Sequence, residues 1–346
     1  MLVVGDLLPG GWSVVQDLNQ ATPVVGKSPG YFSMQFVVKR NGEHAFMKVL
    51  NLASLTGGSL SVDKLQEALN YYVFERDILT HCRDKKLSRV VQIVDSFEQQ
   101  VPIPGSNISL PAYCLVFEMA NGDSRSLFDV GTRSDAAILC VLHNVAVGLD
   151  QLHRNGMTHQ DVKPANVLTF SNGKHDAKLA DLGRAVWLGR AIPHDSEPCP
   201  GDVRYAPFEQ IYGDSPSNWR SRQAADLFML GSLVCFLFTG SSPTRKIMEK
   251  LPDHLKPPRW GGTWSGVYGG VLPIISNEFS QYLLLVESKL PTWCGSDLLK
   301  LVEQMCHPDI SHRGDPKALR FGGALGMQAF ISKLGHISTR ARLMAP

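Results

Sequence analysis

Long hydrophobic runs are missing from this chain of 346 residues. The best stretch, Leu227 to Gly240, extends for about 14 residues directly after Asp226, short of the roughly 20 that a membrane helix needs, and reads as a buried helix. An excess of one charge is missing too: 34 Lys and Arg stand against 32 Asp and Glu, which excludes a chain built to coat nucleic acid. The opening residues, Met1 to Asp6, lack the positive segment of a secretion signal. None of the seven cysteines pairs as C-x-x-C, which removes the usual zinc and redox signatures and leaves reduced core or surface thiols as the expectation. Internal repeats and low-complexity tracts are absent. What is there, at 44% hydrophobic and 19% charged residues, is the composition of a globular protein. It is expected to be soluble and cytoplasmic, with neither membrane nor nucleic acid as a partner.

The first 119 residues read as strands. Trp12 to Leu18 and Ser33 to Arg40 are rich in Val and aromatics, and Asn41-Gly42 turns the chain into His44 to Leu50, the strongest short hairpin signal. A helix follows from Ser61 to about Cys82, with Leu65, Leu69, Tyr72 and Val73 at helical spacing. Val90 to Gln99 and Ala112 to Met119 complete five strands and one helix. After Ala120-Asn-Gly-Asp the pattern changes: Ala136 to Asn155 has apolar residues at helical spacing, and the remainder is mostly helical. The Pro/Gly-rich patch Pro252 to Gly270 reads as a surface insertion or long loop.

The most informative stretch is His159-Gln-Asp161-Val-Lys163-Pro-Ala-Asn166, followed by Asp181-Leu-Gly183. Phosphoryl transfer needs charge neutralisation and alignment more than covalent help, so a site for it must hold divalent metal, phosphates and an acceptor hydroxyl in line. Asp161 has the chemistry to accept or orient a hydroxyl proton, and Lys163 to neutralise a transferred phosphoryl. Asn166 and Asp181 offer hard oxygens to magnesium. These residues resemble the catalytic loop and metal-binding segment of eukaryotic-like protein kinases of the Ser/Thr type, and the simple architecture suits a free-standing bacterial member. The resemblance covers about residues 12 to 335. It implies an α+β, bilobal fold with a small five-stranded antiparallel sheet and one helix in the first lobe. That lobe would span 1–119, the hinge 118–123, a mostly helical second lobe 124–335 and a tail 336–346.

The same resemblance implies ATP and Mg2+ as cofactors, a protein substrate and scope for a regulatory protein partner. Lys48, in Phe46-Met-Lys48-Val, would be the phosphate-binding lysine. Its partner would be Glu75, chosen over Glu67 on the same helix although plain spacing favours Glu67. The backbone of Glu118 and Ala120 would meet the adenine edge, with Phe117 walling the pocket. Glu209, closing Gly201-Asp-Val-Arg-Tyr-Ala-Pro-Phe-Glu209, would pair with Arg313. Asp226 would bond the catalytic-loop backbone, or else simply cap its own helix.

The chain also departs from the family. Gly26-Lys27-Ser-Pro-Gly30 stands where a regular glycine loop is expected, and Pro29 removes one backbone donor for phosphate. Gln160 replaces the arginine that many members use to bind an activation-segment phosphate. Asp181 to Glu209 holds one serine, Ser196, and no threonine, so activity is expected not to require phosphorylation there. Asp202 replaces a threonine, and Leu182 a phenylalanine. A scaffold that binds nucleotide or a partner without transfer, and a small-molecule phosphotransferase, remain as alternatives to an active Ser/Thr kinase.

Overall fold

The computed structural model describes the chain apart from residues 1, 20–31, 51–61, 103–108, 129–133, 171–175, 196, 198, 215–217, 323 and 345–346. The glycine-loop residues Gly26, Lys27 and Gly30, and also Ser196, lie outside the described residues. The chain divides into two compact units, the first made of residues 1–87, 91–120 and 191–193, the second of residues 88–90, 121–190 and 194–346.

The first unit is built on an antiparallel sheet. Its strands are β1 (Leu7–Leu8), β2 (Trp12–Asp17), β3 (Phe32–Arg40), β4 (Glu43–Leu50), β5 (Ile93–Pro102) and β6 (Ser109–Glu118), in the order β1-β2-β3-β4-β6-β5. The sixth strand beyond the expected five is β1, a two-residue edge piece too short to carry a sequence pattern. Asn41 and Gly42 both have positive φ, 50° and 88°, as the tight β3–β4 hairpin requires. Alternation along the strands buries Trp12, Val14, Phe36, Val38, Ala45, Met47, Val49, Cys114 and Val116 in one cluster. Helix α1 (Val62–Asp84), the one α-helix among the described residues of this unit, buries Tyr72, Glu75, Ile78 and Leu79 among others.

The second unit is mainly helical. Its longest elements are α2 (Asp135–Arg154), capped by the Ser134 hydroxyl, and α4 (Trp219–Thr239), capped by Asn218. Both are long and apolar enough to cross a membrane, but their apolar stretches are 61% and 78% buried within the protein, as in core helices. The short α3 (Phe208–Ile211) precedes α4, and α5 (Pro243–Lys250), α6 (Leu272–Glu287), α7 (Gly295–Met305), α8 (Pro316–Arg320) and α9 (Met327–Met344) follow it. Helix α9 runs across the boundary at 335 where a tail was expected. The stretch from Pro252 to Gly270 carries three short 3-10 turns, Asp253–Leu255, Pro258–Trp260 and Tyr268–Gly270. It is tied down by the Tyr268 hydroxyl, which donates to Pro308 O at 3.1 Å.

Small strands frame the loop of interest: β7 (Gly122–Asp123), β8 (Met157–Thr158), β9 (Val167–Phe170), β10 (Asp176–Leu179) and β11 (Val186–Trp187). Residues 159–166 leave β8 and enter β9, which pairs antiparallel with β10, and β10 leads directly to Asp181.

Candidate active site

In the first unit, Lys48 on β4 and Glu75 on α1 form an ion pair at 2.9 Å, with Glu75 1% exposed. Glu67, two turns earlier, is exposed. Helical periodicity explains the difference: Glu75 shares a face with Tyr72, Ile78 and Leu79, all buried. At the end of β6, Phe117 is 6% exposed with its ring 6.2 Å from that of Phe46. The Glu118 N–H donates to Gln92 O at 3.1 Å, which leaves only its carbonyl for the adenine contact expected from the sequence. Ala120 ends the continuous part of this unit.

In the second unit the loop residues converge. The Asp161 carboxylate is 6% exposed as a residue and receives three donors. Lys163 Nζ donates to Oδ2 at 2.8 Å, Asn166 Nδ2 to the same oxygen at 3.0 Å and Asp202 N–H to Oδ1 at 2.7 Å. Burial pushes the Asp161 carboxyl up, opposed by Lys163 and the Asp202 N–H. Burial pulls the Lys163 ammonium down, but the charges of Asp161, Asp202 and Asp181 outweigh it and hold its pKa above the ordinary value. Lys163 therefore stays cationic between two carboxylates, with Asp202 Oδ2 at 3.8 Å.

Asn166 also donates to Asp161 O at 2.9 Å, while its own carbonyl accepts from Ala180 N–H at 2.9 Å. That second bond brings Asp181, one residue on, beside the loop. Asp181 is exposed and sits in the left-handed region at φ 62°, a conformation that Asp tolerates better than most residues. Leu182 is fully buried behind it.

The loop backbone is pinned from α4. Asp226 accepts from the N–H groups of His159 and Gln160 at 2.9 and 2.8 Å, from Gln160 Nε2 at 3.1 Å, and bonds His153 Nε2 at 2.8 Å. The alternative that Asp226 caps its helix fails, because the helix starts at Trp219 with Asn218 as the cap. Gln160, at φ 64°, spends its amide on Asp226 and on Arg222 O.

The closing pair is buried: Arg313 Nη1 and Nη2 bond Glu209 Oε1 and Oε2 at 2.7 and 2.9 Å. Two further ion pairs, not anticipated from sequence, tether the segment after Asp181. Arg184 meets Glu197 and Arg222 meets Asp195, each at 2.7 Å. Gly201 was also missed. A Cβ there would stand 2.3 Å from Gln160 O and 2.9 Å from Asp161 Oδ1. The available signal was a glycine immediately before Asp202, whose N–H holds Asp161.

The protein kinase domain model matches residues 38–319. Serine/threonine-protein kinase SBK1 of Danio rerio is 29% identical over 150 residues, 42% of this chain and 38% of that protein. The Wee1-like protein kinase of Arabidopsis thaliana is 34% identical over 118 residues, 34% of this chain and 21% of its own length. Serine/threonine-protein kinase PknL of Mycobacterium tuberculosis is 34% identical over 131 residues, 37% of this chain and 31% of its own. The alignments thus span well under two thirds of each of these relatives. With the family match extending over most of the chain and onto both units, this protein belongs to the protein kinase family.

Proposed function

We propose that the protein transfers the γ-phosphate of ATP to serine and threonine hydroxyls of protein substrates. The observation that carries this reading is the Asp161 carboxylate, fixed by Lys163, Asn166 and the Asp202 N–H at 2.7 to 3.0 Å. In this role Asp161 takes or orients the acceptor hydroxyl proton, and Lys163 neutralises charge on the phosphoryl in flight. Lys48, held by Glu75, binds phosphate oxygens of the nucleotide.

The donor set fits magnesium. Asn166 commits its Nδ2 to Asp161, which directs its amide oxygen to the role of ligand, and Asp181 supplies an exposed carboxylate. Among the described residues no group of three or more His, Cys, Asp and Glu is placed to hold a metal by itself. Two protein oxygens are what magnesium ordinarily takes when substrate phosphates complete its shell. When bound, the ion would screen the negative charge of the phosphates.

The pairs Arg184–Glu197 and Arg222–Asp195 support activity without phosphorylation of the segment, since the chain's own carboxylates already supply the anionic partner that tethers it. The test is transfer of labelled phosphate from ATP and magnesium to casein by enzyme shown by mass spectrometry to carry no phosphate. Full rate is expected. Asp161→Ala is expected to lose about 10²–10⁴-fold, and Lys48→Ala to fall in parallel. A folded wild type that binds ATP yet transfers nothing would overturn the reading in favour of a non-catalytic binding module.

A further inference from the structure

Three arginines of the second unit border the Asp161 loop and take no part in the chemistry above. Arg125 lies in the turn Ser124–Phe128, Arg204 in the segment after Asp202, and Arg245 in the first turn of α5. Hydrogen bonds fix these pieces against one another. The Ser124 hydroxyl donates to Pro164 O at 3.0 Å, which seats the turn on the loop itself. The Ser242 hydroxyl donates to Arg204 O and accepts from Arg245 N–H, and Thr244 Oγ1 donates to Ala206 O at 2.8 Å. The Phe236 ring lies 5.7 Å from Phe128 and 6.1 Å from Tyr205, so turn, segment and helix gather around one aromatic floor.

Each guanidinium leans on an acid, and at Arg125 and Arg204 that acid lies deeper. Arg125 forks onto Asp123 at 2.8 and 2.6 Å with side chains 59% and 19% exposed. Arg204 forks onto Asp202 at 2.9 and 2.6 Å with 48% and 7% exposed. Arg245 bonds Glu249 at 2.8 Å with both side chains at the surface, 54% and 43% exposed. A fork uses two of a guanidinium's five N–H groups and sets the plane of the rest. At Arg125 and Arg204 positive charge therefore faces solvent over sunken carboxylates, and all three arginines lie close enough to Tyr205 to oppose the upward push of burial and of Asp202 on its hydroxyl. The neighbouring loop residue Ala165 adds no acid.

We propose that this strip receives acidic side chains flanking the acceptor residue of a protein substrate. The proposal deepens the transfer reading above and rests on it for the word substrate. Binding is measured first, by fluorescence anisotropy with short labelled peptides that carry alanine at the acceptor position and glutamate, alanine or arginine on both sides. The glutamate peptide is expected to bind about tenfold more tightly than the arginine peptide at low salt, with the gap closing as salt rises. Arg245→Glu should shrink the preference, and Arg125→Glu with Arg245→Glu should invert it. Equal affinity for the three peptides, or a preference that survives the double variant, overturns the strip. Transfer to the serine versions of the same peptides is scored separately: no transfer to any of them counts against the kinase reading alone, because the alanine peptides still report binding.

Discussion

The polar side chains of one short loop meet as its spacing implies, with Lys163 and Asn166 both on the Asp161 carboxylate. Asp161, Lys163, Asn166 and Asp181 could be singled out because each demands a particular functional group, and because their spacing along the chain is set by a short loop and one hairpin. Gly201 was illegible by contrast, since its role is the room left by an absent side chain. The two atoms that a Cβ would strike, at 2.3 and 2.9 Å, are the Gln160 carbonyl and the Asp161 carboxylate. The carbonyl cannot yield without moving the loop. Gly201→Ala is therefore expected to displace Asp161 and cut transfer by about 10²-fold, the scale of a misplacement of roughly 1 Å. Thermal melting should fall much less, because residues 200–205 are only half-buried and contribute little to the core. A variant with wild-type kcat would show that the loop accommodates the methyl group.

At the scale of elements, strands and helices with clear periodicity were predicted within a few residues, including the Asn41-Gly42 hairpin and α2. The start of α4 was not, because Trp219 to Ala225 mixes arginine, serine and glutamine and gives no apolar stripe before Asp226. That uncertainty is what kept helix capping open as the alternative for Asp226 beside its bond to the loop backbone. Well inside the helix, it is a fully buried carboxylate that serves four donors from two other segments. Asp226→Asn would turn an amide group against some of those donors, leaving buried groups unpaired at a cost of about 1–3 kcal/mol each. The expected result is a lower melting temperature together with a lower kcat at little-changed KM for ATP, since the loop moves while the Lys48–Glu75 pair is untouched. Loss of stability with kcat intact would make Asp226 purely a scaffold residue.

Over the whole molecule, residues far apart in sequence set stability, and here the sequence alone was weakest. The Glu209–Arg313 pair was anticipated through the family resemblance, whereas nothing local marked His194 as a buried group. His194 is 2% exposed and lies near Arg184, Glu197 and Arg222. Burial, then the Arg184 charge, lower its pKa to about 4, against the upward pull of Glu197. The unfolded chain holds the same imidazole near the ordinary value of about 6.5. Between those two values the unfolded state binds a proton that the folded state refuses, so stability rises with pH across the window and is lost on acidification. The full span corresponds to about 3 kcal/mol for this one group. Urea unfolding of the wild type and of His194→Gln, followed from pH 7.5 down to pH 5, isolates it. The wild type should lose stability more steeply than the variant, whatever their difference at neutral pH, because the variant lacks the His194 imidazole while the other ten histidines are common to both. Parallel curves would mean that His194 takes up its proton in the folded protein as readily as in the unfolded chain.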